Sequence, residues 1–265
     1  MDRIIDIHTH AFPDALADRA MASLSAEVPD LPYYHDGRIS SLLVSMDRAG
    51  IDISVVCSIA TRPEQFEPIR AWSAAIQSDR IIPLPSIHPD DPAAAERISQ
   101  LCAEGFKGIK LHPYYQQFTA DEPRMDAIYD ALVSCGLICV MHTGYDIAFD
   151  RVDRAGPGRI VRVLEKWPEL KLVTTHLGAW DQWADAERIL IGRPIYMEVS
   201  FVRDGLDDAT LRRMLLAHPS DYVLFGTDSP WDDQKRALQR LRGLNLGPQI
   251  EHKLLGRNAQ RLLGL

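Results

Sequence analysis

The sequence lacks the features that define several large classes of protein. Its 265 residues include only four cysteines, none in a Cys-x-x-Cys pair, which argues against a disulfide framework and a cysteine zinc site. It has no run of about 18 apolar residues and no signal-peptide pattern, so we expect a cytoplasmic protein without a membrane span. Lysine and arginine total 29 against 37 acidic residues, and the net charge of −8 disfavours nucleic acid as a partner.

What the sequence does have is a regular alternation of two patterns. Short apolar runs rich in β-branched residues alternate with amphipathic stretches, which is typical of βαβ units and a parallel sheet. The predicted strands are Arg3–His8, Ile51–Ser58, Ile81–Ile87, Gly108–His112, Leu137–His142, Lys171–His176, Ile195–Ser200 and Tyr222–Thr227. Eight such units, with no Gly-x-Gly-x-x-Gly turn after the first strand, favour a (β/α)₈ TIM barrel over an open doubly wound sheet. We therefore predict one domain spanning residues 1–265.

Two segments exceed what the repeating units need. Residues 11–37 are too long for a single connection and are predicted to cap the barrel mouth. Residues 248–265 are predicted to form one or two extra C-terminal helices that pack outside the barrel.

Two histidines occur near the start of the chain, at positions 8 and 10. Because side chains alternate along a strand, both are predicted to face the same way, with Asp6 on that face too. Two imidazoles about 7 Å apart along a strand can converge on one metal ion. The motif alone is short, however, and two structural histidines explain it about equally well.

The other histidines strengthen the metal interpretation. Six of the nine lie at or just past the end of a predicted strand, and in a barrel these ends form one face, where active sites are built. The six are His8, His10, His88, His112, His142 and His176. The eighth strand adds Asp228, and a histidine cluster with one carboxylate is typical of a zinc-type site.

Lys110 is a charged residue inside an apolar predicted strand. An unpaired ammonium within a barrel is costly, so it needs a partner or a modification. One interpretation is an ion pair with Asp6 or Asp228; the other is carboxylation by carbon dioxide, which makes it an anionic ligand that bridges two metals.

These residues occur within recognisable motifs: Gly-Ile-Lys-Leu-His-Pro at 108–113, Met-His-Thr-Gly at 141–144, Thr-His-Leu-Gly at 175–178, Gly-Thr-Asp at 226–228 and Asn-Ala-Gln-Arg-Leu-Leu-Gly at 258–264. Together with His8-x-His10, they make the chain resemble the amidohydrolase superfamily. Within it, the chain is most similar to the amidohydrolase-related branch that includes aminocarboxymuconate-semialdehyde decarboxylase.

The resemblance implies two alternative metal arrangements. In a mononuclear site, one zinc is bound by His8, His10, His142 and Asp228, and His176 lies beside it as a base or electrostatic stabiliser. In a binuclear site, carboxylated Lys110 bridges the ions, and His142 and His176 hold the second one.

Two enzymatic hypotheses follow for a small-molecule substrate. The leading one is hydrolysis of an amide, lactone or ester by metal-bound hydroxide, with Asp228 accepting the proton and His176 polarising the carbonyl. The second is non-oxidative decarboxylation of an unsaturated or aromatic acid, in which His176 or metal hydroxide assists protonation. Arg62, Arg203 and Trp231 are candidate substrate-binding residues.

Two further hypotheses are weaker. One is a metal-dependent nuclease, but the nucleases of this superfamily carry a glutamate where this chain has Lys110. A barrel that binds metal without turnover is a non-enzymatic alternative. A homo-oligomer is compatible with every one of these hypotheses.

Overall fold

Eight parallel strands alternate with helices in the computed structural model, which describes residues 3–202 and 205–265. They are β1 Ile5–Thr9, β2 Ile53–Cys57, β3 Ile81–Leu84, β4 Gly108–Leu111, β5 Ile138–Met141, β6 Lys171–Thr174, β7 Tyr196–Glu198 and β8 Val223–Leu224. Each lies at its predicted place.

The helices follow the strands as expected, with three in addition. They are α1 Asp14–Glu27, α2 Ile39–Ala49, α3 Phe66–Ile76, α4 Ala94–Ala103, α5 Asp126–Cys135, α6 Pro157–Lys166, α7 Trp183–Ile189, α8 Asp208–Ala217, α9 Gln234–Gly243, α10 Pro248–His252 and α11 Asn258–Leu263. In the described part of the chain, none of them is long and apolar enough to cross a membrane.

The strands form a barrel through two sheet segments, β1-β2-β3 and β4-β5-β6-β7-β8. One seam is joined by the Lys110 amide, which donates to the Pro85 carbonyl at 2.8 Å. At the other seam, the amides of Ile7 and Asp228 donate to the carbonyls of Phe225 and His8 at 2.9 and 2.7 Å. The (β/α)₈ prediction is confirmed.

The C-terminal segment has a different place from the one predicted. Instead of packing only outside the barrel, α11 contributes Ala259, Leu262 and Leu263 to the apolar cluster formed by inward-facing strand residues such as Val140 and Val173. The helix therefore closes the barrel at the amino-terminal ends of its strands. Packing there is favourable because it removes the apolar surface of these leucines from water.

Residues 11–37 do cover the mouth, and they contain a helix rather than a loop alone. In α1 only Ala17 and Met21 are buried. Glu27, at its end, accepts a hydrogen bond from the Tyr115 hydroxyl at 2.6 Å, and His35 Nε2 lies 2.9 Å from Ser229 Oγ. The segment is therefore fastened to the loops that follow β4 and β8.

Strand β1 contains an irregularity that decides which way its side chains point. Asp6 pairs with Ser54 and Thr9 with Val56, so β1 uses one residue more than β2 over this interval. Asp6 consequently faces outward, where Gln234 Nε2 of α9 donates to its carboxylate at 2.8 Å. The expectation that Asp6 shares a face with His8 is wrong, because the bulge breaks the simple alternation.

Candidate metal centre

The carboxyl ends of β1 and β8 bring three ligand-type atoms together. His8 Nε2 lies 3.1 Å from His10 Nε2 and 3.4 Å from Asp228 Oδ1, and His10 Nε2 lies 3.1 Å from the same oxygen. All three residues face the inside of the barrel mouth. This is the convergence that the His8-x-His10 pattern predicts.

The hydrogen bonds on the far side of each ring fix its tautomer. His8 Nδ1 lies 3.0 Å from Glu198 Oε1, and His10 Nδ1 lies 2.8 Å from the Cys57 carbonyl oxygen. Since these oxygens can only accept, each Nδ1 carries the proton and each Nε2 presents a lone pair. Two lone pairs and a carboxylate oxygen facing one another need a cation between them, so the residues fit a divalent metal ion.

A second pair of histidines repeats this arrangement at the ends of β5 and β6. His142 Nε2 lies 2.8 Å from the Tyr145 carbonyl oxygen, and His176 Nδ1 lies 3.2 Å from the Ser200 carbonyl oxygen. Both of these nitrogens are therefore donors. That leaves His142 Nδ1 and His176 Nε2 as lone pairs only 3.1 Å apart.

Burial keeps these rings neutral and ready to bind a metal. Desolvation lowers the pKa of His8 well below its usual value, that of His142 to about 3 and that of His176 to about 4. Burial alone raises the pKa of Asp228, but its neighbours His8 and His10 outweigh this and hold it below the usual value. At neutral pH His8, His142 and His176 are therefore neutral and Asp228 is a carboxylate, which is the state that metal binding requires.

Lys110 lies at the centre of this cluster. It is fully buried, and its Nζ is 2.9 Å from the bare Nε2 of His8. Within residues 3–202 and 205–265, no ion pair joins it to Asp6 or Asp228, so the ion-pair interpretation is wrong. Asp6 is instead held by Thr227 and Gln234 on the outer face of the strand.

The backbone is strained at this site. His176 and Leu177 have φ of 57°, and Asp228 has φ of 62°, in the left-handed region that such residues rarely occupy. Such a conformation costs about 1–3 kcal/mol per residue and persists only where surrounding contacts enforce it. Its position at two of the ligand-type residues agrees with a functional role.

A close contact between loops positions His142 and His176 relative to each other. Trp180, after β6, donates its amide to the Thr143 carbonyl at 2.8 Å and accepts from the Tyr145 amide at 3.0 Å. Gly144 lies between them with φ of 87°, and a Cβ there would be 2.2 Å from the Trp180 nitrogen. Only glycine fits this approach.

Four polar residues at the site were not predicted as catalytic, metal-binding or substrate-binding residues. Glu198 and Ser200, at the end of β7, contact both His8 and His176. Burial raises the pKa of Glu198, while hydrogen bonds from Ser200 and His176 oppose that shift. A glutamate inside an apolar predicted strand is the same signal that singled out Lys110, and it could have identified Glu198.

The other two form an outer layer around His142. The His112 ring stacks on it with a centroid distance of 4.2 Å. Asp146 Oδ2 lies 3.4 Å from His112 Nε2 and 3.6 Å from His142 Nε2. No sequence pattern marks Asp146, because it lies in an irregular loop.

The remaining predicted residues are less central. His88 is buried beside Asp90, outside the donor cluster. Arg62 is exposed on the turn before α3, and the Trp231 amide donates to the Asp228 carbonyl at 2.9 Å. Arg203 lies outside the described residues.

Comparison with known proteins gives a family match over almost the whole chain. A family profile described as amidohydrolase matches residues 5–265. Among proteins of curated function, none has a detectably similar sequence.

Several solved structures share the fold at low sequence identity. An uncharacterised TIM-barrel protein from Bordetella bronchiseptica is 21% identical, with a TM-score of 0.79 over 99% of this chain and 98% of its own. A 5-carboxyvanillate decarboxylase from Novosphingobium aromaticivorans, complexed with manganese and a nitrobenzoic acid, is 19% identical, with a TM-score of 0.75 over 100% and 96%. A 2,6-dihydroxybenzoate decarboxylase from Rhizobium is 16% identical, with a TM-score of 0.70 over 100% and 99%.

These structures correct the leading functional expectation. Hydrolysis of a small amide, lactone or ester was favoured on sequence, yet the similar enzymes of known activity described above are both decarboxylases of aromatic acids. The hydrolysis prediction is therefore wrong. It failed because a metal-binding barrel mouth is common to both reactions, and the ligand motifs do not distinguish between them.

Proposed function

Since the chain belongs to the amidohydrolase family, we propose that it is a divalent-metal-dependent enzyme that decarboxylates a small aromatic or otherwise unsaturated carboxylic acid without an oxidant. The observation that carries the proposal is the set of bare donor atoms at the barrel mouth, in a fold shared with decarboxylases of aromatic acids.

We assign the metal to His8, His10, Asp228 and His142. The first three present donor atoms within 3.4 Å of one another, and His142 Nδ1 is a lone pair directed at the neighbouring His176. When bound, a divalent ion supplies Lewis acidity that polarises an oxygen of the substrate.

The reaction balances without a redox partner. The bond between the substrate carbon and its carboxylate carbon breaks, carbon dioxide leaves, and the electron pair stays on the substrate carbon. A proton must then reach that carbon. We assign its delivery to His176: the Nε2 lone pair faces the mouth while Nδ1 is held by Ser200, so Nε2 takes up a proton from solvent and passes it to the substrate carbon.

Lys110 supports a single ion rather than two. Its Nζ lies 2.9 Å from His8 Nε2, and an unmodified lysine has no anionic oxygen with which to bridge two ions. We expect metal analysis to give one ion per chain and intact mass spectrometry to give an unmodified lysine. Two ions together with an added carbon dioxide at Lys110 would contradict this arrangement.

The identity of the metal is a separate prediction. Nitrogen-rich ligand sets suit zinc, whereas the similar decarboxylase from Novosphingobium contains manganese. We predict zinc, and reconstitution of the metal-free protein with either ion tests it. Higher turnover with manganese at equal occupancy would argue for manganese instead.

Arg62, Arg203 and Trp231 are proposed to contact the substrate. If Arg62 binds the substrate carboxylate, its replacement by glutamine should raise KM for acids while leaving kcat nearly unchanged. An equal loss on neutral analogues would argue against this role.

The direct test of function is release of carbon dioxide. The metal-loaded protein is incubated with a panel of hydroxylated benzoic acids and unsaturated dicarboxylic acids, and both the gas and the decarboxylated product are quantified. We expect turnover on at least one aromatic acid and its loss after chelation. Metal-replete protein that cleaves esters or amides but releases no carbon dioxide would overturn the proposal.

A further inference from the structure

Glu198 is a buried carboxylate on the side of the metal centre away from the mouth. It ends β7, is fully buried, and lies against Gly226 of the neighbouring strand end. A Cβ at Gly226 would lie 2.3 Å from Glu198 Oε2. The absence of a side chain at position 226 is thus what leaves room for the carboxylate.

One oxygen of Glu198 accepts from three donors. Oε1 lies 3.0 Å from His8 Nδ1, 3.0 Å from the backbone nitrogen of His176 and 2.7 Å from Ser200 Oγ. The other oxygen, Oε2, accepts from the Ser200 amide at 2.5 Å. Four donors directed at a single side chain define its position closely.

Ser200 extends the same contact to the second histidine. Its Oγ lies 3.0 Å from His176 Nδ1 and 3.2 Å from His8 Nδ1. The hydroxyl donates to Glu198, so its lone pairs face the two ring N–H groups. Glu198 and Ser200 together therefore contact His8, which lies beside His10, and His176, which lies beside His142.

We propose that Glu198 and Ser200 form a positioning unit for the metal centre. They hold the Nδ1–H tautomers of His8 and His176, which directs both Nε2 lone pairs into the barrel mouth. A carboxylate hydrogen-bonded to a ligand histidine also raises the basicity of its metal-binding nitrogen. The inference rests on the proposed metal-dependent function, and neither residue is assigned contact with the substrate.

The consequence for His8 is specific. With Nδ1 protonated, Nε2 accepts from Lys110 at 2.9 Å in the absence of a metal and is free to bind the ion in its presence. Replacing Glu198 by glutamine keeps the size of the side chain but removes the charge and puts an NH2 donor in place of one of the two acceptor oxygens. His8 then loses the group that distinguishes its two nitrogens.

Manganese titration of the metal-free protein, followed by electron paramagnetic resonance, measures the effect on affinity. We expect Glu198→Gln to weaken binding ~10- to 100-fold, and Ser200→Ala by about fivefold because Glu198 still accepts from the ligand His8. Ser73→Ala is the matched control, since Ser73 is a fully buried serine in α3, away from the site. Affinity in Glu198→Gln equal to that of the wild type would overturn the inference.

The tautomers are measured separately, on protein labelled with ¹⁵N-histidine and free of metal. Long-range ¹H–¹⁵N spectra should show His8 and His176 as single Nδ1–H tautomers in the wild type, and His8 as a mixture in Glu198→Gln. An unchanged His8 tautomer in that variant would refute the positioning role. A wild type with these tautomers that binds no manganese would contradict the proposed function alone, which keeps the two failures distinct.

If Glu198→Gln does not fold, Ser200→Ala decides the question. It retains the carboxylate, so His8 should remain a single tautomer while the ¹⁵N shift of His176 Nδ1 changes. A His176 signal identical to that of the wild type would overturn the role of Ser200 in the unit.

Discussion

At the scale of single residues, His8 makes contacts through both of its ring nitrogens. Its Nδ1 is held by Glu198, while its Nε2 faces His10, Asp228 and Lys110. The ring is buried and its pKa is lowered, so it remains neutral. Its metal-binding ability therefore depends on its surroundings as much as on the presence of an imidazole.

Asp228 provides the sharpest residue-level prediction. Replacing it by asparagine preserves its size but removes the only carboxylate in the ligand set that we assign. We expect the fold to be retained, by circular dichroism, and turnover to fall by more than ~100-fold, because metal affinity falls when a charged ligand is lost.

The control for this variant is Asp221→Asn. Asp221 pairs with Lys253 and Arg261, away from the mouth. Its replacement should leave turnover unchanged. A rate in Asp228→Asn close to that of the wild type would rule out the ligand assignment.

At the scale of elements, the site depends on irregularities in otherwise regular strands. The bulge in β1 places Asp6 against α9 while His8 and His10 face the mouth. Strand β7 carries Glu198 inward between two apolar neighbours, Met197 and Val199. Strands position these side chains more firmly than loops do, because their backbones are fixed on both sides.

The cap helix α1 buries few of its side chains. With few buried residues, it depends on the hydrogen bond from Tyr115 to Glu27. We expect Tyr115→Phe to increase amide hydrogen exchange in residues 14–27 while leaving the strands unchanged, because local opening requires little apolar surface to be exposed.

Tyr33→Phe is the matched control for the cap, since Tyr33 is an exposed tyrosine of the same segment. Its exchange pattern should equal that of the wild type. Equal protection of α1 in Tyr115→Phe and in the wild type would mean that other contacts hold the cap.

At the scale of the whole molecule, the barrel gathers titratable groups in one buried place. Burial lowers the pKa of seven histidines: His8, His35, His88, His112, His142, His176 and His218. Two acids shift the other way, with the pKa of Asp6 raised to about 7 and that of Glu198 also raised. The change in the free energy of unfolding on acidification is therefore set mainly by the neutral buried histidines.

This predicts a loss of stability on mild acidification of the metal-free protein. Between pH 6.5 and about 4 the unfolded chain binds protons that the buried histidines cannot, so the free energy of unfolding falls as pH falls. Each such group contributes up to about 1.4 kcal/mol per pH unit, and Asp6 and Glu198 offset part of the total. Urea unfolding at pH 7.5, 6.5 and 5.5 measures it.

His218→Gln tests the cause. His218 lies outside the metal centre, and burial lowers its pKa, so its replacement should make the free energy of unfolding less dependent on pH. A wild-type unfolding free energy that is equal at pH 5.5 and 7.5 would contradict the prediction.

Much of the fold was predictable, because apolar periodicity reports burial directly. The eight strands and their order, the cap and the mouth location of His8, His10, His142, His176 and Asp228 all followed from it. The orientation of Asp6 and the partner of Lys110 did not, since a bulge and a cross-barrel contact leave no periodic signal. The preference for hydrolysis failed because ligand motifs specify a metal site and not the reaction.

The sequence by itself determined that His8 and His10 lie at the end of the first strand of a barrel, with a carboxylate on the last. Only the tertiary structure decided that both Nε2 atoms carry lone pairs, because the tautomer of each ring is set by an acceptor distant in sequence: Glu198 for one and the Cys57 carbonyl for the other. Pattern along a chain encodes which face a residue occupies. The proton on its ring is set by the acceptors that other strands place beside it.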